Sequence, residues 1–167
     1  NRTVETELID TLYEMKSREL GKTIDARYGN GRCSTDFELF EDESSIIKSV
    51  SEDLSSIMRQ AVKSDIFVDD SFFNILGAGG GVIRHNHIGL VDRDSGLSLS
   101  NQKYSLVYYL SIGKQDSSEP GILKLYDPSE DILPCEGMIT IFPANRYHSA
   151  VYGGEKDRVV IGVNFYS

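Results

Sequence analysis

The sequence predicts a mainly β domain with two helices at its N-terminal end, and three observations carry that expectation. Two stretches before residue 65 repeat apolar residues at helical intervals. After Asp65 that period disappears, and short β-branched or aromatic runs alternate with Gly, Pro, Asp and Ser clusters. Seven or eight such runs separated by turn signals indicate a closed or double-sheet β architecture.

Taken in order, residues 4–20 place Val4, Leu8, Ile9, Leu12, Met15 and Leu20 at mostly three- and four-residue spacing, which predicts an amphipathic helix ended by Gly21. The segment 21–40 is turn-rich around Tyr28, Gly29, Asn30 and Gly31, with Phe37, Leu39 and Phe40 on a short extended piece. A second helix follows. Asp42 and Glu43 suit its positive N-terminal end, and Ile46, Ile47, Val50, Leu54, Ile57, Met58 and Val62 form one apolar stripe. Strands are predicted at 66–76, 81–87, 104–113, 121–126, 137–142, 146–152 and 157–166, with 88–103 as a long loop that could cover a site or serve as a plain connection. In the last strand, alternation puts Val159, Ile161, Val163 and Phe165 on one face, where the helices would pack. Arg158, Val160, Gly162 and Asn164 take the other face, so Arg158 points inward, where a charge needs an anionic partner. Residues 1–65 are therefore a helical support region and 66–167 the β core of a single domain.

Composition narrows the function classes. Hydrophobic residues make up 40% and charged residues 26% of the 167, enough for one packed core. A net charge of −9 disfavours a protein that works by neutralising phosphate backbones, so no nucleic-acid partner is expected. No apolar run approaches the ~18 residues of a membrane helix, and the first 30 residues lack a secretory pattern. A cytoplasmic protein is expected. Cys33 and Cys135 fit no thiolate metal motif and read as ordinary free thiols. The glycine run from Gly77 to Gly81 lacks the Lys-Ser/Thr of a phosphate loop and reads as a tight β-turn, while Lys124 reads as solvated.

The chemistry concentrates in three histidines, all in the β half. His85 and His87 are two apart, so on a strand both imidazoles project to one face, and His148 could meet them from a neighbouring strand. Such a cluster suits Fe(II), Zn or another first-row divalent ion. Arg158 follows His148 by ten residues, and its planar guanidinium suits a carboxylate.

From Phe72 to Phe165 these landmarks resemble the iron(II)- and 2-oxoglutarate-dependent oxygenases. The matching pieces, in order, are Phe73-Asn74-Ile75, Gly79-Gly80-Gly81, His85-Asn86-His87, Tyr108-Tyr109-Leu110, Gly121 to Asp127-Pro128, Gly137-Met138 to Phe142-Pro143, His148, and Arg158 with Asn164-Phe165. The resemblance implies a double-stranded β-helix, or jelly roll, with the two helices on its larger sheet. It also implies Fe(II), 2-oxoglutarate and O2 as the reacting set, with release of succinate and CO2 and hydroxylation of a small-molecule or peptide substrate. His85 and His148 correspond to the family's two metal-binding histidines, and Arg158 to the anchor of the distal carboxylate. Tyr108, Asn74 and Ser149 are weaker candidates for co-substrate contacts.

The main departure is His87, which stands where most members have a carboxylate. Either His87 completes the metal set, or an acid such as Asp92 or Asp94 folds back from the next loop. Two alternatives stay open beside the oxygenase reading: a cupin-like metal-binding or sensing domain without turnover, and a three-histidine dioxygenase that does not use 2-oxoglutarate. Similar domains follow tetratricopeptide-like repeats in longer proteins, and a chain beginning at Asn1 is compatible with such a fusion.

Overall fold

The computed structural model describes residues 1–20, 30–93 and 98–167. The first helix, α1 (Thr6–Glu14), buries Leu8 and Leu12. The second, α2 (Ser45–Val62), starts at Ser44, whose hydroxyl accepts from the Ile47 N–H, and buries Ile47, Val50, Leu54 and Met58. It closes at Lys63 in the left-handed conformation.

Among the described residues, ten strands form two antiparallel sheets. They are β1 (Ser17–Glu19), β2 (Gly31–Ser34), β3 (Phe67–Leu76), β4 (Gly80–His85), β5 (Lys103–Ser111), β6 (Pro120–Leu125), β7 (Glu130–Ile132), β8 (Ile139–Pro143), β9 (His148–Tyr152) and β10 (Arg158–Tyr166). The larger sheet runs β1-β2-β3-β10-β5-β8, and the smaller runs β4-β9-β6-β7. This is the jelly-roll arrangement expected from the strand count and the resemblance.

Both helices cover the outer face of the larger sheet. Leu8, Leu12, Ile47, Val50, Leu54 and Met58 pack with Phe73, Ile75, Leu106, Tyr108, Val159, Ile161, Val163 and Phe165 in one apolar cluster. The predicted split of β10 is thus realised: its odd-numbered residues face the helices, while Arg158, Val160, Gly162 and Asn164 line a cavity between the sheets. Burial of these large side chains at about 1.5–3 kcal/mol each is the main force holding the helices in place.

The structure shortens the first helix from the expected 4–20. Helix α1 ends at Glu14, and Ser17–Glu19 turns into an edge strand paired with Arg32–Ser34. Residues 16–19 bring no large apolar side chain to the helix stripe, so the backbone pairing available from β2 outweighs continuation of the helix. Phe37 to Phe40 does not extend either; Leu39–Glu41 is a single 3-10 turn that buries Leu39. The three-residue β7 carried too little alternation to be expected. Gly21, the Tyr28-Gly29 turn and residues 94–97 of the long loop, including Asp94, lie outside the described residues.

Candidate metal centre and buried arginine

Strands β4 and β9 pair antiparallel with His85 directly opposite His148, so the histidine 63 residues downstream is brought beside the first by sheet register. His87 lies just past the end of β4, where its N–H donates to the Ala144 carbonyl at 2.9 Å. One ligand atom from each of His85, His87 and His148 falls within 4.8 Å of the others. The Nε2 atoms of His87 and His148 are 3.3 Å apart. Two nitrogens each bound at about 2.0–2.1 Å to one tetrahedral or octahedral ion would sit at about 2.9–3.4 Å, so the cluster fits a first-row divalent cation.

The surroundings keep His87 and His148 neutral. Burial pushes His87 down to about 3, with His148, His85 and Lys103 adding positive neighbours when charged. Burial likewise takes His148 down to about 4, with His85 the next cause. Neutral imidazole is the form that coordinates a metal. Backbone carbonyls orient two of the rings: His85 Nδ1–H donates to the Ile83 oxygen at 2.7 Å and His148 Nδ1–H to the Arg146 oxygen at 3.3 Å. Both then present an Nε2 lone pair to the centre.

No carboxylate joins the histidines among the described residues. Asp92, the alternative third ligand, is engaged elsewhere. Its carboxylate is only 2% exposed and takes hydrogen bonds from Tyr166 Oη at 2.6 Å, the Gly89 N–H at 2.6 Å and Lys103 Nζ at 3.1 Å. Lys103, itself buried, also reaches Asp69 at 2.6 Å. Asp92 therefore ties the loop after His87 to β5 and β10.

The same cavity holds a second polar group. Arg158 is 3% exposed and has no ion-pair partner among the described residues; its Nη1 donates to the Gly121 carbonyl at 2.6 Å, while Nε has no partner. Burial pulls the guanidinium downward, opposed by Tyr109 and Tyr152. The Tyr109 hydroxyl and the Thr140 hydroxyl are buried without partners too, and Tyr109 neighbours both Thr140 and Arg158. Arg158 Nε and the Tyr109 hydroxyl, both on the cavity wall, with the Thr140 hydroxyl beside Tyr109, form a cradle for an anionic oxygen group, because each such atom left dry costs about 1–3 kcal/mol. The donor set thus suits a carboxylate, and the histidines suit a ferrous ion.

Two glycines make room for this arrangement. Gly121 has φ +82°, and a Cβ there would lie 2.4 Å from Arg158 Nη1. At Gly162 a Cβ would meet the Phe72 ring, which lines the cavity beside His87.

The sequence candidates distribute unevenly. His85, His87, His148, Arg158 and Asn74 all line the cavity. Tyr108 does not. Its ring packs on the helix side, and its hydroxyl donates to the Thr3 carbonyl and accepts from Arg2. Tyr109 takes the cavity side. Ser149 sits between the inward-facing His148 and Ala150 and pairs with the Tyr126 hydroxyl at 2.9 Å, away from the cavity. Lys124 is exposed. Sequence reasoning passed over Tyr109 and Thr140. For Tyr109 a signal existed, since Leu106 and Leu110 share the parity of Tyr108 and mark it as core, whereas Ser105 and Ser111 share that of Tyr109.

No protein-family model matches the sequence, and no curated protein matches it in sequence. Solved structures do match in fold. A 2OG-Fe(II) oxygenase family oxidoreductase from Burkholderia pseudomallei aligns over 96% of this chain and 78% of its own, with TM-score 0.65 and 12% identity. A prolyl hydroxylase from Trichoplax adhaerens, solved with a hypoxia inducible factor peptide fragment, aligns over 96% and 75%, with TM-score 0.67 and 16% identity. A prolyl-4-hydroxylase from Pseudomonas putida aligns over 89% and 77%, with TM-score 0.58 and 18% identity. At these identities the likeness is one of architecture: this chain has the jelly-roll fold in which 2OG-Fe(II) oxygenases are built, with a histidine cluster and a buried arginine facing its interior.

Proposed function

We propose that the protein is an Fe(II)- and 2-oxoglutarate-dependent oxygenase that hydroxylates a small-molecule or peptide substrate. The observation that carries this reading is one cavity holding both a cluster of three histidines and a buried guanidinium without a carboxylate partner among the described residues. His85 and His148 would hold the ion through Nε2, with His87 beside them as the third member. Arg158 and Tyr109, with Thr140 beside Tyr109, would take the distal carboxylate of 2-oxoglutarate, and Asn74 would face the co-substrate from β3. Bound there, iron and 2-oxoglutarate supply the activation of O2, with succinate and CO2 as products. The chain's own contribution is orientation and exclusion of water: Leu76, Val82, Leu106, Leu123 and Val160 make the cavity wall apolar. Three neutral imidazoles leave the 2+ charge of the ion for an anionic co-ligand to balance, a role a chelating 2-oxo acid can fill.

Anaerobic titration of the metal-free protein with Fe(II) and 2-oxoglutarate tests this reading, through the weak visible charge-transfer band of the chelate. The band is expected in the wild type and lost in His148→Ala and Arg158→Ala. Iron binding without a band would favour a three-histidine dioxygenase or a sensing domain instead.

A further inference from the structure

His85 and His148 offer lone pairs to the centre, but His87 is held the other way round, and the cause lies in Asn164. This side chain is 2% exposed, and both protons of its amide nitrogen are engaged. Its Nδ2 donates to Asp70 Oδ1 at 2.8 Å and to His87 Nδ1 at 3.2 Å, while its Oδ1 accepts from Ser105 Oγ at 2.6 Å. Burial pushes the Asp70 carboxyl up, opposed by this bond from Asn164; as a carboxylate Asp70 can only accept, so it fixes the amide nitrogen on its own side, which is also the side of His87. The Nδ1 of His87 is then an acceptor, and in the neutral ring the proton sits on Nε2. That Nε2–H points at His148 Nε2, 3.3 Å away, whose own proton is committed through Nδ1 to the Arg146 carbonyl. A nitrogen that carries a proton has no lone pair for a metal.

We propose that Asn164 is a positioning residue that decides whether His87 coordinates the ion: its amide, oriented by Asp70 and Ser105, holds His87 in the Nε2–H form, and His87 enters the coordination sphere only when the amide turns over. After that turn, Oδ1 accepts from a His87 Nδ1–H and the Nε2 lone pair is free. Ser105 can follow, because a hydroxyl accepts from Nδ2 as readily as it donates to Oδ1, but Asp70 loses its donor. The chain therefore presents two ready ligands and a third whose entry is opposed by the Asp70–Asn164 bond. With the amide unturned, His87 instead donates a hydrogen bond to whatever anion occupies the open position. This inference rests on the metal reading above, and it assigns a function to the otherwise unused pair Asp70 and Ser105 on β3 and β5.

The test separates the two. Long-range 1H–15N correlation spectra of the metal-free wild type at pH 8 report which nitrogen of each histidine is protonated. His85 and His148 are expected as Nδ1–H and His87 as Nε2–H; a His87 found as Nδ1–H overturns the proposal. The exchange variant D70N/N164D keeps one amide and one carboxylate but turns the carboxylate onto His87 Nδ1. In it His87 is expected as Nδ1–H, with Co(II) bound at least tenfold more tightly than by the wild type. An unchanged tautomer, or unchanged or weaker Co(II) binding in a folded exchange variant, refutes the role of Asn164. Absence of Co(II) binding by the wild type would instead remove the metal reading, while the wild-type spectra still decide how Asn164 holds His87.

Discussion

Replacing Arg158 with Met separates a ligand-binding cation from a structural one, because the two roles predict opposite stability changes. Among the described residues the guanidinium has one hydrogen bond, to Gly121 at 2.6 Å, and it lies 5.2 Å from the Tyr109 ring centre. A charge-assisted bond contributes about 1.5–3 kcal/mol and a desolvated cation–π contact about 2 kcal/mol. Against these stands a desolvation penalty of several kcal/mol for an ion that has no counter-charge. The two sides nearly cancel, and Met fills much of the space with apolar atoms. Stability of the Arg158→Met variant is therefore expected to equal that of the wild type or exceed it by up to about 2 kcal/mol. Co-substrate shows the other side. With redox-silent Mn(II) present, 2-oxoglutarate at a hundred times its Kd should stabilise the wild type by about 2.7 kcal/mol, a rise in Tm of roughly 5–10 °C for a domain of this size. The variant should not respond. Thermal denaturation with and without 2-oxoglutarate reads both effects. A variant more than about 2 kcal/mol less stable than wild type, or stabilised equally by 2-oxoglutarate, would refute the assignment of Arg158 as the co-substrate anchor.

Other perturbations follow from the same geometry. Gly121→Ala forces a Cβ to within 2.4 Å of Arg158 Nη1 at a φ of +82°; it should cost about 1–3 kcal/mol in chemical denaturation and weaken 2-oxoglutarate binding at least tenfold by calorimetry. Lys103→Met leaves the buried Asp92 carboxylate unpaired and is expected to lose about 3–5 kcal/mol, measured by urea unfolding; Asp92→Asn with Lys103→Met should recover part of that loss. The metal-free protein should lose stability in acid through His87 and His148. Their folded values lie below 6.5, so between pH 6.5 and about 4 the unfolded chain takes up protons that the folded chain refuses, and stability falls with pH by up to about 1.4 kcal/mol per unit for each ring. Denaturant midpoints across this range in chelator should show that slope, and His148→Phe should reduce it. His85→Ala should lower Co(II) affinity at least a hundredfold by absorption titration, since it removes a ligand already in its binding tautomer.

Much of the centre was legible before any fold was in view. The alternation in β10 assigned Val159, Ile161, Val163 and Phe165 to the helix-facing core and Arg158 and Asn164 to the interior, because a strand's period of two needs no partner to define its faces. The two-residue spacing of His85 and His87 implied a shared direction for the same reason, and α2 was visible in its stripe of apolar residues. What escaped depended on pairing. Residues 17–19 became a strand only because β2 lay alongside, and although parity in β5 already marked the face of Tyr109, its position along the cavity wall is set by the register of β5 against β10.

The sequence by itself determined the mainly β class, the two helical supports, the sided character of the last strand and the identities of the three histidines and the inward arginine. Those features are written in local periodicity and in residue chemistry, which act over a few residues at a time. Only the tertiary structure decided that His148 stands opposite His85, that Asp92 is tied to Lys103 and so kept from the histidines, and that Asn164 bridges Asp70 to His87. These are contacts across tens of residues, set by which strands become neighbours and in what register, and the energy that selects them belongs to the assembled core rather than to any one segment.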